Sequence, residues 1–431
     1  TVTRSQMSGV EDKPRPPPNS RESRMKTLEA IERMHGELTA FRRDIHAHPE
    51  IAFEEVRTSA KVAEKLKSFG LEVHEGIAKT GLVAVLHGKL PTPAGQTTRS
   101  IGLRADMDAL PMPELNRFAH ASKNPGRMHG CGHDGHTTML LGAAQYLAAH
   151  PDFAGTVNFI FQPAEENGNA GAREMIREGL FERFPCDAVF GIHNMPGMPE
   201  NHFGFRPGPL MASSNRFNIV VRGVGGHAAQ PHNAVDPVVM SAEMVLSMQT
   251  LVSRLTNPLD PVVLTITQIH GGDAYNVIPD QVILRGTVRT YTTEALDRIE
   301  AGMNRIVKTL PTVYGGSGEL EFIRAYPPVV NHVDETALAT QVAIDTFGAD
   351  NVTRELAPFM GAEDFSFYLN EIPGAYLFLG NGSGEHREAA FEGMGPCQLH
   401  NSNYDFNDAL IPVGATFFVN LVKRYLATAR A

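Results

Sequence analysis

Between His129 and His136 the sequence reads HGCGHDGH, which gathers His129, Cys131, His133, Asp134 and His136 into one short span. A thiolate and an imidazole on one side of a chain suit a zinc-like ion. Extended or loop backbone at Cys131-Gly132-His133 would put the first and third side chains on the same side, and Gly130, Gly132 and Gly135 would let the chain approach an ion closely. A lone histidine in such a loop is ordinarily a solvated residue. Five metal-competent side chains together point instead to a metal centre.

One segment rarely supplies a whole site, so further ligands should come from other strand ends. QPAEENG offers the adjacent Glu165 and Glu166 just past the strand-like TVNFIF, where ligands of an α/β sheet are expected. Adjacent side chains diverge, so one carboxylate can bind an ion while the other holds the attacking water; a solvated pair opening the following helix is the plain alternative. DAVFGI ends in His193, and CQLHNSNYDFND contains His400. Taken singly, each is more often a hydrogen-bonded structural histidine. Asp106 and Asp108, two apart in GLRADMDALPM, can ligate or can orient a ligating ring, and with Cys131 and His133 at hand the orienting role is expected for both, and for Asp134.

The elements that must carry these residues follow from hydrophobic periodicity. Leu28, Ile31, Leu38, Phe41 and Ile45 keep one helical face, and a second amphipathic helix covers about 53–69. The strand-like runs LVAVLHG, SIGLRADMD, GTVNFIFQPAEE and DAVFGIHN then alternate with the helix TTMLLGAAQYLAAH. That alternation predicts an α/β domain with a largely parallel sheet. After the turn residues of PGPLMASS the order becomes strand, helix, strand, strand, helix, strand, a ferredoxin-like α+β arrangement. The expected organisation is a two-piece catalytic domain, 25–212 and 326–431, interrupted by a smaller domain at 213–325. Residues 1–24, polar and Pro-rich, read as a disordered leader or an expression remnant.

Composition narrows the function. A 42% hydrophobic chain of 431 residues can bury a large core, and a formal net charge of −10 without a Lys/Arg block argues against nucleic acid and for small-molecule partners. Three cysteines cannot form a disulfide framework and suit a reducing cytoplasm. No apolar run reaches the roughly 20 residues of a membrane span, and no G-x-S-x-G serine motif occurs.

In order along the chain, RADMDALPM, HGCGHDGHT, QPAEE, GIHNMP, GVGGHAAQPH, NVIPD, GTVRTY, GAEDFS and LHNSNYDFND resemble the motifs of the M20 metallopeptidase-type amidohydrolases. Within them they are most similar to the branch of hippurate hydrolases, N-acyl-amino-acid amidohydrolases and indole-acetyl-amino-acid hydrolases. The resemblance runs from about residue 25 to the C-terminus.

That resemblance implies hydrolysis of an N-acyl-amino acid to a carboxylic acid and a free amino acid, with two divalent metal ions per chain, zinc, manganese, nickel or cobalt. Cys131 matches the bridge between the ions, His133 and His193 the ligands of one, and Glu166 and His400 those of the other. Glu165 matches the general base. The inserted domain resembles a lid and dimerisation domain, implying a homodimer or tetramer. Its His227 matches the histidine that stabilises the oxyanion, often across a dimer, and Asn276 and Arg289 match positions that hold the substrate carboxylate. His129, His136, His232 and Glu363 are expected to support the site or line its wall. A dipeptidase or aminoacylase of the same superfamily is the nearest alternative; a non-catalytic metal-binding protein would have no need for Glu165, Glu166 and His227 together.

Overall fold

The computed structural model describes residues 27–92, 94, 95, 97–387 and 397–427. The expected leader at 1–24 lies outside them. Eight strands form the larger sheet, in the order Glu72–Ile77, Gly81–His87, Thr156–Gln162, Ser100–Asp106, Ala188–Met195, Gly374–Gly380, Phe203–Gly204, Val352–Thr353. The middle four, from Thr156–Gln162 to Gly374–Gly380, run parallel, with Ala105 opposite Phe161, Leu103 opposite Phe190 and Leu377 opposite Ile192. Parallel strands end at one edge. Asp106, Gln162, Met195 and Gly380 are therefore neighbours along the rim where a site in an open α/β sheet is built.

These strands are buried on both faces, and their period of two sorts the side chains into two cores. Leu82, Ala84, Val157, Phe159, Phe161, Phe190, Ile192 and Leu377 face one core, shared with the helices Glu29–His46, His133–Ala149, Val333–Phe347 and Leu410–Ala427. Val83, Ile160, Val189, Tyr376 and Phe378 face the other, under Gly171–Arg177 and Ser366–Glu371. Truncating a residue such as Phe159 or Phe190 to alanine would cost about 3–5 kcal/mol, enough to loosen the rim. Leu410–Ala427 is long and apolar enough to cross a membrane by length and composition, yet 78% of it is buried inside the protein. It is a core helix.

Between Ser214 and Tyr326 the chain leaves this sheet and builds a second one, order Val262–His270, Gln281–Thr290, Ser214–Arg222, Ser317–Tyr326, all antiparallel. Helices Pro237–Ser253 and Thr293–Val313 cover one face, over Phe217, Ile219, Val221, Leu284 and Val288. Their starts are chemically specified: Asp236 accepts from Val238 N at 2.8 Å ahead of Pro237, and Thr292 accepts from Ala295 N at 3.2 Å. The opposite face carries Arg216, Asn218, Arg285, Thr287 and Arg289 and looks across a cavity at the rim of the large sheet.

Candidate active site

The metal-ligand motif does not lie in an extended segment. His133 opens the His133–Ala149 helix, four residues earlier than the apolar pattern suggests, and Gly132 ahead of it is left-handed at φ +90°. A Cβ at 132 would sit 2.3 Å from Asn194 Nδ2 and 2.4 Å from Tyr404 OH, so glycine is required there on both counts. Polar HDGH has little helix propensity and no apolar stripe, which is why periodicity misses this first turn. Gly135 packs on Phe406 rather than facing an ion.

The structure brings six of the expected residues together. Ligand atoms of Cys131, His133 and His193 lie within 4.8 Å of one another, as do those of Cys131, Glu166 and His400, and those of His133, Glu165 and Glu166. Cys131 is thus common to two triads. Its Sγ is 3.4 Å from His193 Nε2, and His400 Nε2 is 3.3 Å from Glu166 Oε1. All but His400 are buried, and His400 opens onto the cavity. Two residues at this rim hold left-handed backbones: Ala164, just before Glu165, at φ 53° and His400 at φ 65°. Ala164 N donates to Glu55 Oε1 at 2.9 Å and His400 N to Gly130 O at 2.8 Å, bonds that hold in place a conformation worth of order 1–3 kcal/mol of strain.

Hydrogen bonds aim the rings. Asp108 Oδ1 lies 3.2 Å from His133 Nδ1, and the Asp108 carboxylate also accepts from Glu165 N at 3.1 Å and Glu166 N at 3.0 Å. One carboxylate therefore fixes both the helix ligand and the Glu165–Glu166 turn. His193 Nδ1 is bound to the Asn194 carbonyl at 2.6 Å, which leaves Nε2 toward Cys131. Asp106 Oδ1 holds His136 Nδ1 at 2.7 Å, and His136 Nε2 accepts from Asn194 N at 2.9 Å. His136 steadies the His193 strand and is already saturated. Asp134, by contrast, turns away from the ligands: its Oδ2 takes His46 Nδ1 at 2.9 Å and Arg42 Nη1 at 3.3 Å.

Two cations fit these donors. His133 Nε2 and Glu166 Oε1 are buried without a hydrogen-bond partner; His400 stands at ion-pair distance from the latter but outside hydrogen-bonding geometry. Negative charge is in excess. Burial, then Glu363 and Glu166, push the Glu165 carboxyl well up, and burial with Glu166 and Glu165 does the same to the Cys131 thiol. Burial works against a charged His133, but Asp106 and Asp108 overcome it and raise the ring to about 10. Positive ions at Cys131 reverse this pressure by favouring thiolate and carboxylate.

Sequence reasoning missed the cations that hold this rim. Arg104, fully buried, binds Asp106 Oδ2 at 2.6 Å, Glu363 Oε1 at 2.9 Å, Asp364 Oδ1 at 3.1 Å and Gln162 Oε1 at 2.8 Å. Glu363 Oε2 accepts from Tyr376 OH at 2.7 Å, and ligand atoms of Glu165, Glu363 and Asp364 lie within 4.8 Å of one another. Tyr326, at the end of the smaller sheet, donates its hydroxyl to the Glu165 carbonyl.

Rim and smaller sheet enclose a cavity of about 900 Å³, lined by Cys131, Glu165, Glu166, His193 and His400 on one side and by Arg289 on the other. His227 and Asn276 do not line it. They sit together on an exposed two-stranded ladder, where Gly226–His227 pairs with Val277–Ile278 and Ala228 N donates to Asn276 O at 2.9 Å. Around them Tyr275, Val277, Val224 and Ile269 are exposed.

Residues 102–424 match the model of peptidase family M20/M25/M40. The chain is 39% identical over 402 residues to hippurate hydrolase of Campylobacter jejuni, covering 93% of this chain and all of that one. It is 38% identical over 397 residues to an IAA-amino acid hydrolase (ILR1-like 5) of Arabidopsis thaliana, covering 90% and 86%. Among solved structures, the Bacillus subtilis YXEP protein, a dinuclear metal-binding peptidase of the M20 family, superposes with a TM-score of 0.78 at 32% identity, covering 92% and 99%.

Proposed function

The chain belongs to peptidase family M20/M25/M40, and from that premise we propose that it hydrolyses the amide bond of N-acyl-amino acids with two divalent ions and a water nucleophile. The observation that carries this reading is the Cys131 thiol, common to two ligand triads, with the Glu165 carboxyl beside them. Cys131, His133 and His193 would hold one ion, and Cys131, Glu166 and His400 the other. A donor set of thiolate, imidazole and carboxylate admits zinc, manganese, nickel or cobalt. When bound, such ions polarise the scissile carbonyl and acidify the attacking water.

The chain's own residues do the rest. Glu165 takes a proton from the attacking water and delivers it to the leaving amine, a role worth about 10²–10⁴ in rate. Asp108, by accepting from the Glu165 and Glu166 amides, keeps both side chains aimed while the proton moves. Arg289, whose planar fork suits a carboxylate, anchors the amino-acid end across the cavity together with Asn276. His227 donates to the developing oxyanion. Since His227 and Asn276 lie on an exposed two-stranded ladder among exposed apolar side chains, a second copy of the chain supplies them, and 213–325 serves as lid and dimerisation domain. The unpaired cysteines Cys131, Cys186 and Cys397 support a cytoplasmic location.

The direct test is glycine release from N-benzoylglycine by metal-loaded protein, with and without a chelator. Release that the chelator abolishes and added metal restores is the expected result; release indifferent to chelator would overturn the reading.

A further inference from the structure

The open face of the smaller sheet carries more positive charge than one substrate carboxylate needs. Arg216 stands opposite Thr287 in the strand register, so Arg285 and Arg289, two residues to either side of Thr287, are its diagonal neighbours on the same face. Such neighbours lie about 7–8 Å apart, within reach of long side chains. All three line the cavity. Arg289 is half-buried, and its guanidinium is held below its ordinary range first by burial and then by Arg216. Like charges so placed repel, and an anion entering beside Arg285 and Arg289 would offset that repulsion.

Arg222, Arg298 and Arg324 of the same unit are neutralised. Arg222 holds Glu319 at 3.1 Å, Arg298 holds Asp260 at 3.0 Å, and Arg324 holds Asp297 at 2.7 Å and Glu300 at 2.6 Å. Arg285 and Arg289 have no ion pair among the described residues; the bond found for Arg285 is a long one, 3.4 Å, to the neutral Asn218 Oδ1. The carboxylates that line the cavity, Glu165, Glu166 and Glu363, are all on the opposite wall. Position matters too. Arg289 lies four residues nearer the end of its strand, where Thr290 O accepts from Ser213 N at the junction with the larger domain, so Arg285 is the farther of the two from the metal-ligand rim.

Building on the proposed amide hydrolysis, we propose that the amino-acid portion of the preferred substrate carries a second negative charge, as in an N-acyl-glutamate or N-acyl-aspartate, and that Arg285 is the residue that selects it. Arg289 takes the α-carboxylate, and Arg285, with Arg216 between them, takes the side-chain carboxylate. An N-acylglycine fills only the first of these positions.

The test compares N-acetyl-L-glutamate with its neutral isostere N-acetyl-L-glutamine on the metal-loaded enzyme. The expected kcat/KM ratio is about 10–100 in favour of glutamate, the value of a charge-assisted hydrogen bond. Arg285→Gln should bring the ratio near one, and Arg285→Lys should restore part of it because the charge returns without the fork. Equal turnover of the two substrates by the unmodified enzyme, or a preference that survives in Arg285→Gln, overturns the inference and leaves amide hydrolysis standing. Failure to cleave either of them or N-benzoylglycine would overturn the hydrolytic reading itself.

Discussion

The rim of the large sheet and the exposed two-stranded ladder beside the smaller one carry proposed site residues of opposite character. At the rim, Cys131, His133, Glu165, Glu166 and His193 are buried, backed by hydrogen bonds and grouped in triads whose ligand atoms already lie within 4.8 Å of one another. On the ladder, His227 and Asn276 are exposed and outside the cavity. Strand ends of a rigid sheet hold a constellation before any substrate arrives. A two-residue ladder such as Gly226–His227 with Val277–Ile278 presents its groups outward instead. On the proposed function, chemistry that must be preorganised is built into one chain, and the oxyanion donor is left for a second copy to deliver.

Substitutions on the two sides should therefore fail differently. Glu165→Gln is the largest expected loss, about 10²–10⁴ in kcat with bound metal per chain unchanged, as read by elemental analysis beside initial rates. Full activity in that variant would remove Glu165 from the base role. His227→Asn should cost about 10²–10³, also with metal content intact. Complementation sharpens the contrast. If His227 acts across a dimer, co-expressing the Glu165→Gln and His227→Asn chains gives mixed dimers with one doubly defective and one complete site, so about a quarter of full activity returns. Two inactive chains that stay inactive together would put His227 in its own chain's site.

Much of the rim was legible from sequence because each expected ligand sits in a short local motif, Glu166 and His193 at the ends of apolar strands. The largely parallel sheet followed from strand-like runs such as TVNFIF and DAVFGI alternating with helical ones, and the smaller unit from its order of strands and helices. What stayed hidden is non-local. Arg104 reads as an ordinary strand arginine until Glu363 and Asp364, some 260 positions away, close on it. Arg42 is the same case: buried on a helix, it binds Asp134, Asp405 and Asp408. Asp134 misled for a geometric reason. Next to His133 in sequence, it is turned about 100° around the helix, so its carboxylate meets His46 and Arg42 rather than the ligands.

That buried network gives the comparison its smallest and most specific test. Burial opposes a charge on His46, yet Asp134 and Glu114, at 2.9 and 3.2 Å, raise the ring to about 9 from an ordinary value near 6.5. A histidine whose folded pKa is raised stabilises the protein fully below its unfolded pKa and loses that contribution as pH rises through the folded one. Stability of the rim should accordingly fall between pH 6.5 and 9, by at most about 3 kcal/mol at 1.36 kcal/mol per pKa unit. Urea unfolding in the presence of chelator, for the unmodified protein and His46→Gln across that range, isolates the contribution. The two curves should converge as the pH approaches 9 and separate below 7. His227 is exposed on the two-residue ladder, and His227→Asn should track the unmodified protein at every pH. A constant offset for His46→Gln would mean the ring acts by packing alone; the same pH-dependent divergence in His227→Asn would mean the ladder is as integral to the fold as the rim.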